Sequence, residues 1–145
     1  MTYKKVLQWS TRGHTHILDM TPEIEAAVLE SGIREGLVTV FVSGSTAAIT
    51  TMEYEPGCVA DFRRLMEMLA PENAEYAHNQ RWGDGNGYAH LRASLVGPSL
   101  TVPVIEGRLA VGTWQQIVLV DFDNRPRRRR VVVRVVGDAA AAPTE

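Results

Sequence analysis

Apolar positions along this chain change period several times, and each change predicts an element. Residues 3–9 and 14–20 read as extended segments, and the turn Ser10-Thr11-Arg12-Gly13 between them predicts a hairpin. Thr21-Pro22-Glu23 supplies an N-cap, a proline at the first helical position and an acid in the first turn. Ile24, Ala27 and Val28 then form a short helical stripe that Gly32 stops. Residues 37–42 are β-branched and almost wholly apolar, which predicts a strand. Ser43-Gly44-Ser45 breaks that run, and a further strand follows over 46–52.

After the boundary Glu55-Pro56-Gly57, the apolar residues Val59, Phe62, Leu65, Met66 and Leu69 keep a helical period until Pro71. Residues 72–87 read as a long loop, and loops of that length in a small domain tend to be functional or mobile. A short helix over 89–96 closes at Gly97-Pro98, and strands follow over 99–104, 116–122 and 131–136. The tail 139–145 is expected to fray. Neither repeat nor linker interrupts the pattern. It predicts one α+β domain over 1–138, with a largely antiparallel or mixed sheet and a few helices.

Composition narrows the function classes. With 145 residues, 45% of them apolar, the chain can build one real core. A formal net charge of −2 supplies no basic field, so nucleic acid is not an expected partner. No segment approaches the roughly 20 apolar residues that span a bilayer, and the first residues carry no leader pattern. A cytoplasmic protein without a membrane partner is expected. Cys58 is the single cysteine, so no internal disulfide or thiolate zinc cage can form. At a helix start it is either a small packing residue or a thiol made more acidic by its position.

Chemistry concentrates between Tyr76 and Gln115. His78 and His90 flank the bending stretch Asp84-Gly85-Asn86-Gly87, which lets both rings fold toward one point. Imidazole is both the commonest metal ligand and the side chain suited to proton transfer near neutral pH. A spacing of twelve carries little specificity by itself, and two unrelated histidines would share it. Ser43-Gly44-Ser45-Thr46, between two strands, is either a plain turn or a nest of amides and hydroxyls for an oxyanion. Glu53 and Glu55 share a face if the strand continues, and one of them is a candidate metal ligand or general base. Asn86, Thr113, Gln115 and Arg129 are the further candidates for holding a ligand. Trp114 is expected to pack in the core. Alternation sends Arg127-Arg128-Arg129-Arg130 to both faces of a strand, where they protect an edge, pair across a subunit contact or grip a phosphate.

Several of these stretches occur together in one known family. Phe41-Val42-Ser43-Gly44-Ser45-Thr46-Ala47-Ala48, Glu53-Tyr54-Glu55-Pro56-Gly57 and Tyr76-Ala77-His78 are followed by Ala89-His90-Leu91-Arg92-Ala93-Ser94-Leu95-Val96-Gly97-Pro98-Ser99. Gly107-Arg108-Leu109, Gly112-Thr113-Trp114-Gln115 and Pro126-Arg127-Arg128-Arg129 complete the series. In that order they resemble the YjbQ family, also called the secondary thiamine-phosphate synthase family, over residues 3–137. The resemblance implies a small α+β pseudo-barrel or sandwich, assembled as a homotrimer with a polar pocket near subunit contacts. It implies transfer of a pyrimidine diphosphate to a thiazole phosphate, giving thiamine phosphate. It also implies a metal site built on histidines, two of which match His78 and His90, and so a divalent metal, Zn²⁺ or Mg²⁺. The family's first histidine falls on Gly44 and its preceding proline on Ser43. Glu53 or water would then stand in for the missing imidazole, or the Gly44 amide would approach an anion directly. Tyr88 is a second place where a histidine would have served better. The readings that follow are an enzyme joining these phosphates and, alternatively, a non-catalytic homotrimer that binds metal or a small phosphorylated molecule.

Overall fold

Two antiparallel sheets lie one over the other, and helices cover the smaller one. The structure is a computed structural model and describes residues 1–139; most of the expected frayed tail, 140–145, lies outside the described residues. In chain order the elements are β1 (Thr2–Thr11), β2 (His16–Asp19), α1 (Thr21–Ser31), β3 (Glu35–Ser43), β4 (Ala47–Met52) and α2 (Pro56–Leu69). They continue with α3 (Ala77–Trp82), α4 (Gly87–Val96), β5 (Ser99–Ile105), β6 (Arg108–Leu109), β7 (Gln116–Asp121) and β8 (Arg127–Asp138). The large sheet has the order β1-β8-β3-β5-β6 and the small one β2-β7-β4. The α+β class and the antiparallel pairing expected from the sequence are both present.

Burial explains the layers. Between the sheets, Val38, Val40 and Val42 of β3 and Val131, Val133 and Val135 of β8 share one core with Ile117 and Leu119 of β7. Ile24, Ala27 and Val28 of α1 join the same core. The alternate residues of the small sheet, Ala48, Val118 and Val120, pack instead with Met66 of α2 and with Tyr88, Ala89 and Ala93 of α4. β7 is therefore buried on both faces, which is why it reads as an apolar run rather than an alternating one. Asp121 is the charged residue in that run and is fully buried.

Three expectations change. The first two extended segments do not form a hairpin, because β1 makes ten register pairs with β8 while β2 pairs with β7 in the other sheet. Gly13, His14 and Thr15, all at positive φ, turn the chain from one sheet to the next. The long loop contains α3, a one-and-a-half-turn helix with no apolar stripe to announce it. Trp114 is 75% exposed in a tight turn rather than packed in the core. In the arginine run only Arg130 pairs with both β1 and β3, while Arg127, Arg128 and Arg129 pair with β1 alone. None of the described helices is long and apolar enough to cross a membrane.

Candidate functional site

Two short helices bring the histidines together. His78 lies in the first turn of α3, whose C-terminus is closed by Gly83 in the left-handed conformation. His90 lies in the first turn of α4, which starts after Asn86. The two helix starts meet because residue 87 is glycine. A β-carbon there would stand 2.5 Å from the Tyr76 Cβ, while the Gly87 amide donates to Asn79 Oδ1 at 2.8 Å. The result is a separation of 4.3 Å between the ring centroids of His78 and His90.

Asp84, in the connection between the helices, completes the group. One ligand atom from each of His78, Asp84 and His90 fits within 4.8 Å of the other two. Nδ1 of His78 stands 3.4 Å from Asp84 Oδ1, yet it is buried and has no hydrogen-bond partner among the described residues. Buried polar atoms are nearly always paired, so a nitrogen left bare beside a carboxylate fits a cation between them. Burial, followed by the neighbouring His78 ring, lowers the pKa of His90, while Asp84, Asp123 and the Ser45 backbone oppose the shift. The net effect favours the neutral imidazole, the form that donates a lone pair to a metal. Two imidazoles and one carboxylate suit Zn²⁺ or another transition metal.

A network behind this group holds it in place. The Asp84 carboxylate accepts from the Asn86 amide at 3.1 Å, and its carbonyl accepts from Asn124 Nδ2 at 2.7 Å. The Asn86 side chain accepts from the Asn124 amide at 2.9 Å and donates to Asp123 at 3.2 Å. Asp123, fully buried, also accepts from Thr46 at 2.9 Å and from Arg127 at 3.0 Å. Burial raises its pKa, but the hydrogen bonds from Thr46, Asn86 and Arg127 together outweigh burial and hold it below the ordinary value. Arg129 donates twice to Asp121, at 2.6 and 2.8 Å, and once to Thr46 at 2.6 Å. Arginines 127 and 129 thus point inward and Arg128 and Arg130 outward, as strand alternation requires.

The sequence-derived candidates therefore divide. His78, His90, Asn86, Ser45, Thr46, Gly44 and Arg129 lie in one connected region. Within it, Thr46 and Arg129 spend most of their polar groups on the two aspartates. Glu53, Thr113 and Gln115 belong elsewhere. Ala47 pairs with Asp121 at the histidine end of β4, whereas Met52 pairs with Gln116 at the far end. At the rise of a strand, six residues carry the chain roughly 20 Å away. Glu53 lines a separate hollow with Thr113 and Trp114, and Gln115 bonds to Thr51 and Gly112. Asp84, not Glu53, is the carboxylate beside the imidazoles. Asp121 and Asp123 were missed, although their spacing of two matches that of Arg127 and Arg129.

With this geometry in view, comparison with known proteins is informative. The family model described as UPF0047 protein YjbQ-like matches residues 5–138. The chain belongs to that family. A UPF0047 protein of Archaeoglobus fulgidus is 42% identical over 130 residues, covering 90% of this chain and 98% of its own. One from Methanothermobacter thermautotrophicus is 39% identical over 135 residues, covering 93% and 92%. Among solved structures, a YbjQ-like protein of unknown function from Sulfolobus solfataricus superposes with a TM-score of 0.91 at 34% identity, over 95% of this chain and 99% of that one. A hypothetical protein from Aeropyrum pernix gives 0.87 at 32%, over 94% and 99%. The match spans both sheets and the histidine-bearing helices.

Proposed function

We propose that this protein holds Zn²⁺ through His78, Asp84 and His90 and uses the site to bind a small phosphorylated molecule. The observation that carries this reading is the buried, partnerless Nδ1 of His78 set against Asp84, with the His90 ring beside it. Two imidazoles favour Zn²⁺ over Mg²⁺, which prefers a shell of oxygen atoms. When bound, the ion supplies positive charge to a phosphate oxygen.

The chain's own groups do the rest. Asn86 and Asn124 hold Asp84 in position, and burial keeps His90 neutral. The turn at Gly44 and Ser45 lies against Arg129 Nη1, and the Ser45 backbone bonds to the His90 ring, so one guanidinium nitrogen stands beside the site. The activity that fits these parts, and that the family resemblance implies, is transfer of the pyrimidine group of a pyrimidine diphosphate to the nitrogen of a thiazole phosphate, with diphosphate as the leaving group.

The test is metal analysis of the purified protein and of His78→Ala, Asp84→Ala and His90→Ala, followed by incubation with both phosphorylated substrates. Near-stoichiometric zinc that is lost in each variant, with thiamine phosphate formed by the zinc-loaded protein, is the expected result. A wild-type protein that neither carries zinc nor binds it on titration sinks the reading.

A second reading, a non-catalytic homotrimer that binds metal or small phosphates, is favoured by the commitment of Thr46 and Arg129 to internal bonds. Leu37, Phe41, Ile105 and Val136 are exposed on one face of the large sheet, which suits a self-association surface. It predicts a trimeric mass in light scattering and ligand affinity without product.

A further inference from the structure

We propose that a cavity between β2 and the start of α2 is a second ligand site, which takes the phosphate group of a small phosphate monoester. The cavity has a volume of about 490 Å³, and its walls include Arg12, His16, Arg63, Tyr54, Glu55 and Val59. It shares no lining residue with the His78–Asp84–His90 group, so it stands or falls separately from the function proposed above.

Three donors converge on this space. Arg63 is anchored by its Nε, which donates to the Thr15 carbonyl at 3.0 Å and leaves both terminal nitrogens for another partner. Neither Arg12 nor Arg63 forms an ion pair among the described residues. The third donor is His16. Its Nδ1 accepts from the Arg12 backbone amide at 2.9 Å. An amide can only donate, so the neutral ring must carry its proton on Nε2. Burial first, then the charges of Arg12 and Arg63, lower the pKa of His16.

The acid in the wall pairs with neither arginine among the described residues. Glu55 caps α2, accepting from the Gly57 amide at 3.0 Å and the Cys58 amide at 2.5 Å. Its carboxylate is committed to the helix amides, which lower its pKa. Two guanidiniums and an imidazole N–H match the three terminal oxygens of a phosphate monoester. A carboxylate, with two oxygens, would be satisfied by one guanidinium alone. The organic part has apolar wall to lie against in Val59, Pro56 and Tyr54, whose hydroxyl is tied to the Ile17 carbonyl at 3.1 Å.

Calorimetry of the full chain in chelator-containing buffer tests the site, with phenyl phosphate, inorganic phosphate and benzoate as probes. Phenyl phosphate is expected to bind more tightly than inorganic phosphate, and benzoate more weakly than either. Arg12→Gln and Arg63→Gln each weaken phenyl phosphate by about tenfold, the loss of one charge-assisted contact. Arg63→Lys keeps the charge without the planar fork and falls between. Both arginines are exposed, so circular dichroism is expected to match wild type. Amide and imidazole NMR shifts locate the probe at His16, while His78→Ala and His90→Ala bind it unchanged. Absence of saturable binding, equal affinity in the arginine variants, or shifts centred on His78 and His90 would overturn the proposal. Benzoate binding as tightly as phenyl phosphate would overturn its phosphate selectivity, and inorganic phosphate doing so would remove the ester.

Discussion

A β-carbon on residue 44 would stand 2.7 Å from Nη1 of Arg129, so the bend at Gly44 and the buried guanidinium fill one corner together. Gly44 also holds φ at +148°, a conformation that residues with side chains rarely adopt. The position where relatives of this kind are expected to carry an imidazole is here shaped for an arginine to approach.

Gly44→Ala is therefore expected to destabilise the protein by about 1–3 kcal/mol, through backbone strain and displacement of Arg129. Urea unfolding measures it. Gly44→His should be no more stable, and an unchanged midpoint in both variants would contradict the close approach.

Arg129→Met removes the partner of a carboxylate that has no access to water, since Asp121 is fully buried and the Arg129 side chain is 8% exposed. Breaking one side of such a pair costs about 3–5 kcal/mol, most of it from the stranded charge. Replacing Asp121 with Asn in the same chain should recover much of that loss. A double-mutant cycle by chemical denaturation checks the coupling.

Acidification should weaken the metal-free protein through His16. Burial, with Arg12 and Arg63, holds its folded pKa below the ordinary 6.5. The unfolded chain then binds the proton first, so this contribution is intact above pH 6.5 and declines as the pH falls toward the folded value. His16→Gln should flatten the dependence of melting temperature on pH between 7 and 5. A slope identical to wild type would exclude His16 as its source.

The Asn86 side chain accepts from the Asn124 amide and donates to Asp123, and Asn124 in turn donates to the Asp84 carbonyl, so Asn86 supports Asp84 from behind without joining the His78–Asp84–His90 cluster. Asn86→Ala should lower zinc affinity by about 10–100-fold, the usual effect of freeing a ligand from its support. Competition with a chromophoric chelator measures it. Asn86→Asp tests whether the loss follows from disturbing Asp123 by like charge.

Much of the fold was legible because burial leaves a period in the chain. The valines of β3 and β8, the Thr-Pro-Glu start of α1 and the spacing of α2 all announced their elements. α3 was not legible, since Ala77–Trp82 buries no apolar face and is held by a glycine C-cap and by contact with α4. Within α2 the apolar stripe overstated burial: Met66 is covered, whereas Leu65 and Leu69 remain 47% and 57% exposed.

The site divides the same way. His78, His90 and their bending connection stood out by residue type. Glu53, offered with water as a stand-in for the missing imidazole, lies past the far end of β4 from the histidines, a fact of strand register. Asp84 sat in the connection itself, and only the close approach at Gly87 turned proximity in sequence into a cluster with the two imidazoles.

By itself the amino-acid order determined the single α+β domain, the antiparallel strands, the family and the two histidines, because local periodicity and motif order are written along one dimension. Tertiary structure alone decided that β1 and β2 separate into different sheets, that Asp121 and Asp123 receive Arg129 and Arg127 across the turn, and which carboxylate faces the imidazoles. Those outcomes depend on which of many compatible pairings buries the most apolar surface, and that competition involves residues far apart in the chain.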